Sequence, residues 1–245
     1  MIIGFVGSGN MAAAIARGWA DDLDGMLFSD SGSGRAVELA AELGGEATTN
    51  AEIAARADAV VLAVKPNKLE SVAPELTAAR EVVSVLAAVP LARLEAAFPG
   101  AQVLRMMPNV GVEVRKGVLC VAGGATSELR AKLALLGHLV EIAEEDFDAA
   151  TAVMGCSPAY LALAVEAIAD AGAAAGLDPE LARELVLETT AGTAELLRIR
   201  HPADVRKAVA SPGGSTEAGL RALDREGARA AFEAAVVASL ERMRG

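Results

Sequence analysis

The sequence predicts an α/β domain built on a mostly parallel sheet, followed by an all-helical domain. Three observations carry that prediction. Short β-branched runs alternate with Ala- and Leu-rich helical stretches from Met1 to about Glu145, the pattern of stacked βαβ units. A glycine-rich turn joins the first strand to the first helix, and after Phe147 the strand signal stops. The expected domains are 1–146 and 147–245.

In chain order the candidate strands are Ile2–Val6, Met26–Ser29, Ala59–Val64, Val82–Leu86, Gln102–Met106, Val118–Val121 and Val140–Ala143. Helical runs between them include Met11–Trp19, Arg35–Leu43, Leu69–Thr77, Leu91–Ala97 and Ser127–Leu136. The later helices are Pro158–Ala175, Pro179–Arg198, Asp204–Ala210, Ser215–Glu226 and Gly227–Arg242. Gly176-Leu177-Asp178-Pro179 reads as a C′ glycine, a staple residue, an N-cap and a first-turn proline. Ser211-Pro212-Gly213-Gly214 reads as a tight loop. Tyr160–Ala174 and Leu181–Leu197 are apolar on more than one face and need burial on several sides. A second copy related by a two-fold axis meets that need most simply; packing wholly against the first domain is the alternative.

Composition narrows the function. Of 245 residues 53% are apolar and 3% aromatic, so the core is built from small and branched aliphatic side chains. A net charge of −11, with no basic cluster denser than Arg115–Lys116, argues against nucleic acid as a partner. Cys120 and Cys156 are too few for a disulfide framework and have no zinc-binding spacing, so no metal is expected. The apolar run at Met1 has no basic segment ahead of it, and no stretch reads as long and uninterrupted enough to span a bilayer. The expected location is the cytoplasm, with no membrane association.

Strand Ile2–Val6 runs into Gly7-Ser8-Gly9-Asn10-Met11-Ala12 and then a helix, the G-x-G-x-x-A dinucleotide fingerprint in its required setting. This makes the first domain a Rossmann-like, dinucleotide-binding one. Gly7 permits the tight turn, Gly9 lets backbone approach a pyrophosphate, and the helix N-terminus offers unpaired N–H groups. About twenty residues on, Asp30 stands where a carboxylate accepts the ribose hydroxyls of NAD, although a turn or helix cap is an equally good role. Ser31, Ser33 and Arg35 suit the extra phosphate of NADP. Lys65-Pro66 places a cation at the carboxyl edge of the sheet, as a ligand contact or as a solvated loop lysine.

Five segments resemble one family. Gly4-Phe5-Val6-Gly7-Ser8-Gly9-Asn10-Met11, Ala63-Val64-Lys65-Pro66, Arg105-Met106-Met107-Pro108-Asn109, Pro158-Ala159-Tyr160 and Ser211-Pro212-Gly213-Gly214-Ser215-Thr216 are similar, in order and spacing, to pyrroline-5-carboxylate reductase. The resemblance implies a helical dimerisation domain that interlocks with its counterpart in a homodimer or a larger homo-oligomer. It also implies reduction of the cyclic imine 1-pyrroline-5-carboxylate to L-proline by NADPH or NADH. Carried over by position, Val6, Gly7, Ser8, Gly9, Asn10, Met11, Asn50, Ala63, Val64, Lys65, Pro66 and Ala87 meet the cofactor. Ser211, Gly213, Gly214, Ser215 and Thr216 hold the substrate.

That loop also makes chemical sense by itself. Successive N–H groups at Gly213, Gly214 and Ser215, ahead of a helix, form a receptor for a carboxylate. Thr216 supplies a hydroxyl to the ring nitrogen and is the expected catalytic residue. An ordinary turn capped by Ser215 or Thr216 is the alternative. His138 and His201 read as structural or solvated, so no strong general acid is visible.

The chain departs from the family pattern at Val110-Gly111, at Gly155-Cys156-Ser157 and at Ala208, which leaves a related imine open as substrate. A non-catalytic dinucleotide-binding regulatory protein is the rival outside the enzymes. The β-hydroxyacid dehydrogenases are disfavoured, because only Lys132 and Lys207 follow Lys116 and neither sits in a Gly-rich helical motif.

Overall fold

A computed structural model describes residues 1–244; residue 245, the last of the expected second domain, lies outside the described residues. In chain order the first part contains β1 (Ile2–Val6), α1 (Asn10–Gly18), β2 (Gly25–Ser29), α2 (Arg35–Leu43), β3 (Glu46–Ala47), α3 (Asn50–Arg56), β4 (Ala59–Leu62), α4 (Leu69–Val72) and β5 (Glu81–Ser84). It continues with α5 (Leu91–Ala97), β6 (Gln102–Pro108), β7 (Gly117–Gly123), α6 (Ser127–Ala134), β8 (Gly137–Glu141) and α7 (Phe147–Ala150).

The strands form one eight-stranded sheet in the order β3-β2-β1-β4-β5-β6-β7-β8. All neighbours are parallel except β6 and β7, which a short 3-10 turn at Val110–Val114 joins in place of a crossover helix. Val6 pairs with Ser29 on one side and with Leu62 on the other, so β1, β2 and β4 end together where the strand order reverses. Ligands bind at such a switch point.

Both faces of the sheet are covered, with side chains alternating between them. Ile3, Phe5, Phe28 and Val61 face α1, α2 and α6, whereas Val6, Leu27, Val60 and Leu62 face α3, α4 and α5. Phe5 stacks on Phe28 at 5.1 Å between ring centroids, with Trp19 beside them. Ala12 to Ala16 are all buried, so α1 lies close against the sheet.

The expected helix Leu69–Thr77 is divided, with α4 giving way to a 3-10 turn at Ala73–Leu76. Pro74 lacks the N–H that a continuing α-helix needs. The strand expected over Val82–Leu86 stops at Ser84, where the chain turns: the Ser84 hydroxyl accepts from the Leu86 N–H and Ala88 adopts φ 58°.

The chain forms two compact units, Met1–Gly155 with the residues from Leu240 onward, and Cys156–Ser239. The segment just after residue 146 stays with the first because Phe147 is buried beside Met107 and Cys120.

The second unit holds α8 (Ser157–Ala174), α9 (Pro179–Ile199), α10 (Pro202–Val209), α11 (Ser215–Arg225) and most of α12 (Ala228–Arg244). Gly176 ends α8 at φ 103°, and Asp178 caps α9 by accepting from the N–H groups of Glu180 and Leu181, both at 3.1 Å. The His201 Nδ1 caps α10 by accepting from the Ala203 N–H. Among the described residues of this unit only Ala182 is a buried apolar residue. Leu161, Leu163, Ile168, Leu185, Ile199 and Val237 are each at least half exposed.

Contrary to the sequence expectation, the helical stretch Glu144–Ala174 is long and apolar enough to cross a membrane by length and composition. It comprises a 3-10 turn at Glu144–Asp146, α7, a π-turn at Thr151–Gly155 and, after a bend at Cys156, α8.

Candidate active site

The turn after β1 has two glycines with opposite surroundings. Gly7 sits at φ 96°, and a Cβ there would lie 2.6 Å from the Ala63 carbonyl oxygen and 2.9 Å from the Val64 nitrogen. Its N–H donates to the Ser29 carbonyl at 3.1 Å, and the buried Ser8 hydroxyl donates to the same oxygen at 2.9 Å. Gly9 is the N-cap of α1, with no side-chain cap, and a Cβ there would meet nothing within 4 Å. Packing within the protein therefore demands Gly7 but places no demand on Gly9. The space above Gly9 and the unpaired first-turn N–H groups of α1 suit an anion such as a pyrophosphate.

A cleft of about 630 Å³ opens from this turn. Of the cofactor residues expected from sequence, Val6, Gly7, Ser8, Gly9, Asp30, Ser31, Arg35, Asn50, Val64 and Lys65 line it, together with Ser33. Asn10, Met11, Ala63, Pro66 and Ala87 do not. Met11 and Ala63 pack against the core, and Asn10 turns away to accept from the Arg35 guanidinium at 2.8 Å. Ala87 is exposed in the turn that follows β5.

Asp30 organises the loop between β2 and α2. Its Oδ1 accepts from the N–H groups of Gly32 (2.7 Å) and Ser33 (3.1 Å), and its Oδ2 from the Ser33 hydroxyl (2.8 Å) and the Ala36 N–H (2.9 Å). These donors, the Ala36 N–H foremost, hold its carboxyl below the usual carboxylate range. Four donors fill the four ordinary acceptor positions of a carboxylate. Of the two roles the sequence left open, the structure displays the cap. Ser31, Ser33 and Arg35 are left exposed along the cleft.

The facing wall comes from the segment after β4. Lys68, Ser71, Val72 and Glu75 line the cleft, although sequence reasoning did not single them out. No motif marks them: they are spaced along α4 and the flanking 3-10 turns, and only the sheet order brings them to the end of β2. Asn50 links the two walls, accepting from the Ser29 hydroxyl and donating to the Glu75 carboxylate at 3.0 Å.

In the second unit the Ser211–Thr216 loop differs in detail from the expected receptor. Gly213, at φ 74°, donates its N–H to the Glu217 carboxylate at 2.7 Å, and Gly214 donates to the Ser211 carbonyl at 3.0 Å. Neither N–H is therefore free for a ligand. Gly214 is the N-cap of α11 with no side-chain cap, and the N–H groups of Ser215 and Thr216 have no partner among the described residues. Ser215 and Thr216 are both exposed. No cluster of metal-ligating side chains occurs among the described residues.

Residues 144–245 match the family model described as pyrroline-5-carboxylate reductase dimerisation, and residues 2–88 match one described as NADP oxidoreductase, coenzyme F420-dependent. The chain is 36% identical to pyrroline-5-carboxylate reductase of Thermus thermophilus, over 99% of this chain and 97% of that relative. It is 39% identical to that of Synechocystis sp., over 79% and 76%. Among solved structures it is similar to 1-pyrroline-5-carboxylate reductase from Streptococcus pyogenes, with TM-score 0.88 and 32% identity over 99% of this chain and 98% of that one. It is also similar to Plasmodium falciparum pyrroline carboxylate reductase with NADP bound, with TM-score 0.87 and 27% identity over 99% and 97%.

Proposed function

We propose that this chain, which belongs to the pyrroline-5-carboxylate reductase family, reduces 1-pyrroline-5-carboxylate to L-proline at the expense of NADPH or NADH. The observation that carries this reading is the 36% identity to a named reductase across 99% of the chain, the Ser211–Thr216 loop included.

The dinucleotide, when bound, supplies the hydride. Gly7, Gly9 and the N-terminus of α1 hold its pyrophosphate, and the open space at Gly9 fits that group. Ser31, Ser33 and Arg35 favour the phosphorylated cofactor: Asp30 is engaged by four loop donors, the Ser33 hydroxyl among them, which leaves the Ser31 hydroxyl and the Arg35 guanidinium, shared with Asn10, to meet the extra phosphate. The first turn of α11, through the Ser215 and Thr216 N–H groups, receives the substrate carboxylate, and the Thr216 hydroxyl hydrogen-bonds the imine nitrogen as it becomes an amine. Most of the rate gain then comes from positioning. The proton on nitrogen arrives with a protonated imine or from water.

The functional division we propose is a dinucleotide-binding domain, 1–146, and a helical dimerisation and substrate-binding domain, 147–245; the dimerisation model spans 144–245. The exposed apolar side chains of α8 and α9 are the surface a second copy covers, which also accounts for the apolar stretch Glu144–Ala174 without a bilayer. The protein acts as a cytoplasmic homodimer or a larger homo-oligomer.

The test is oxidation of NADPH and of NADH with 1-pyrroline-5-carboxylate, for native protein and for Thr216→Val, which keeps the side-chain shape and removes the hydroxyl. We expect turnover in the first and a loss of about threefold to tenfold in the second, the value of one hydrogen bond. Unchanged turnover in Thr216→Val discards the role of that residue, and turnover with neither cofactor discards the reaction.

A further inference from the structure

Glu75 takes no part in the chemistry above, yet it lines the cofactor cleft. Its position is fixed by a short chain of hydrogen bonds: the Ser29 hydroxyl donates to Asn50 Oδ1, and Asn50 Nδ2 donates to Glu75 Oε2 at 3.0 Å. Ser29 is the last residue of β2. In a fold of this kind the pyrophosphate rests on the N-terminus of α1 and the adenosine half extends toward the end of β2. Glu75 is therefore held beside the adenosine half, on the wall facing the Ser31–Arg35 loop.

A carboxylate is an unexpected group in a cleft that takes an anionic ligand. No cation pairs with Glu75 among the described residues, and its Oε1 accepts no hydrogen bond there. Phosphate oxygens would be repelled by it. What an ionised carboxylate can do is accept a hydrogen bond. At the adenosine end the donors are the exocyclic amine of the base and the ribose hydroxyls.

We propose that Glu75 is a specificity-determining residue that reads the adenine base, its free carboxylate oxygen accepting a hydrogen bond from the exocyclic amine. The inference rests on the dinucleotide reading given above. Asn50 has the positioning role, since it joins Glu75 to the end of β2.

The test compares binding of NADPH and of its hypoxanthine analogue, in which a carbonyl oxygen replaces the amine and the ribose and phosphates are unchanged. Cofactor fluorescence on the intact protein, without substrate, reads the two dissociation constants. Native protein should bind the analogue roughly tenfold more weakly, because two acceptors then face each other. Glu75→Gln keeps its oxygen on Asn50 Nδ2 and so presents its NH2 to the base, where it donates to the analogue's carbonyl and opposes the native amine, so the ratio should fall to one or reverse. Equal binding of both dinucleotides by native protein overturns the proposal. So does a Glu75→Gln protein that weakens both and keeps the native ratio, because Glu75 would then serve Asn50 or the ribose. Binding of neither dinucleotide by native protein overturns the dinucleotide reading itself, and this proposal with it.

Discussion

Replacing Gly7 and Gly9 separately by alanine should have opposite consequences, because one glycine answers to the protein and the other to its ligand. At Gly7 the new Cβ must occupy φ 96° and lie under 3.0 Å from three backbone atoms, of Ala63 and Val64. The left-handed conformation costs about 1–2 kcal/mol for a residue with a side chain. Relieving backbone overlap of that kind adds about 1–3 kcal/mol. Gly7→Ala should therefore lose about 2–5 kcal/mol of stability in urea unfolding at fixed protein concentration. At Gly9, φ −74° is open to alanine and the Cβ touches nothing. Its stability should change by less than about 1 kcal/mol, the difference between glycine and alanine as an N-cap. Its NADPH affinity should nonetheless fall by about tenfold or more, which is about 1.4 kcal/mol, as the methyl enters the pyrophosphate space. Native-like NADPH binding by Gly9→Ala, or native-like stability of Gly7→Ala, would refute this division of roles.

Asp30→Ala removes the acceptor of four loop hydrogen bonds. It should cost about 1–2 kcal/mol and weaken NADPH binding, the reverse of what a carboxylate that excludes the 2′-phosphate would give; cofactor titration separates the two. Because the folded carboxyl lies below its ordinary value of 3.8, its contribution is present above that value and is lost as pH falls below it, which acid unfolding of native and Asp30→Asn protein should display. Glu144→Ala leaves the Arg105 guanidinium, 5% exposed, without its carboxylate partner and with only the Phe147 ring at 4.0 Å. Since Glu144 is itself 39% exposed, the expected loss is about 2–3 kcal/mol, below that of a fully buried pair, in urea unfolding. Ala88→Gly should gain about 0.5–1 kcal/mol, since it frees an exposed alanine from φ 58° at a smaller entropic cost.

What the sequence revealed and what it concealed follow from the range of the forces involved. The fingerprint was legible because strand, glycine turn and helix are contiguous, and the caps at Gly176 and Asp178 because each acts within a few residues. β3 escaped because it is two exposed residues long, and α3 was not singled out although Thr49 caps it by accepting from the Glu52 N–H. Asp30 carried two credible roles, and only the folded loop shows its oxygens filled by Ala36 and the residues between. In the Ser211–Thr216 loop a string of N–H groups looked like one receptor, yet Glu217, in the first turn of the helix that Gly214 caps, claims the first of them. Lys68 and Glu75 reach the cleft through tertiary structure alone, which no local pattern announces.

The most direct test of the central claim follows the hydride itself. NADPH carrying deuterium at the transferable position of the nicotinamide is incubated with 1-pyrroline-5-carboxylate and the native protein, and the proline formed is analysed by mass spectrometry and NMR. The account predicts proline labelled with a single deuterium, at the ring carbon that had been double-bonded to nitrogen. Unlabelled proline, or cofactor oxidised without any proline appearing, would contradict it.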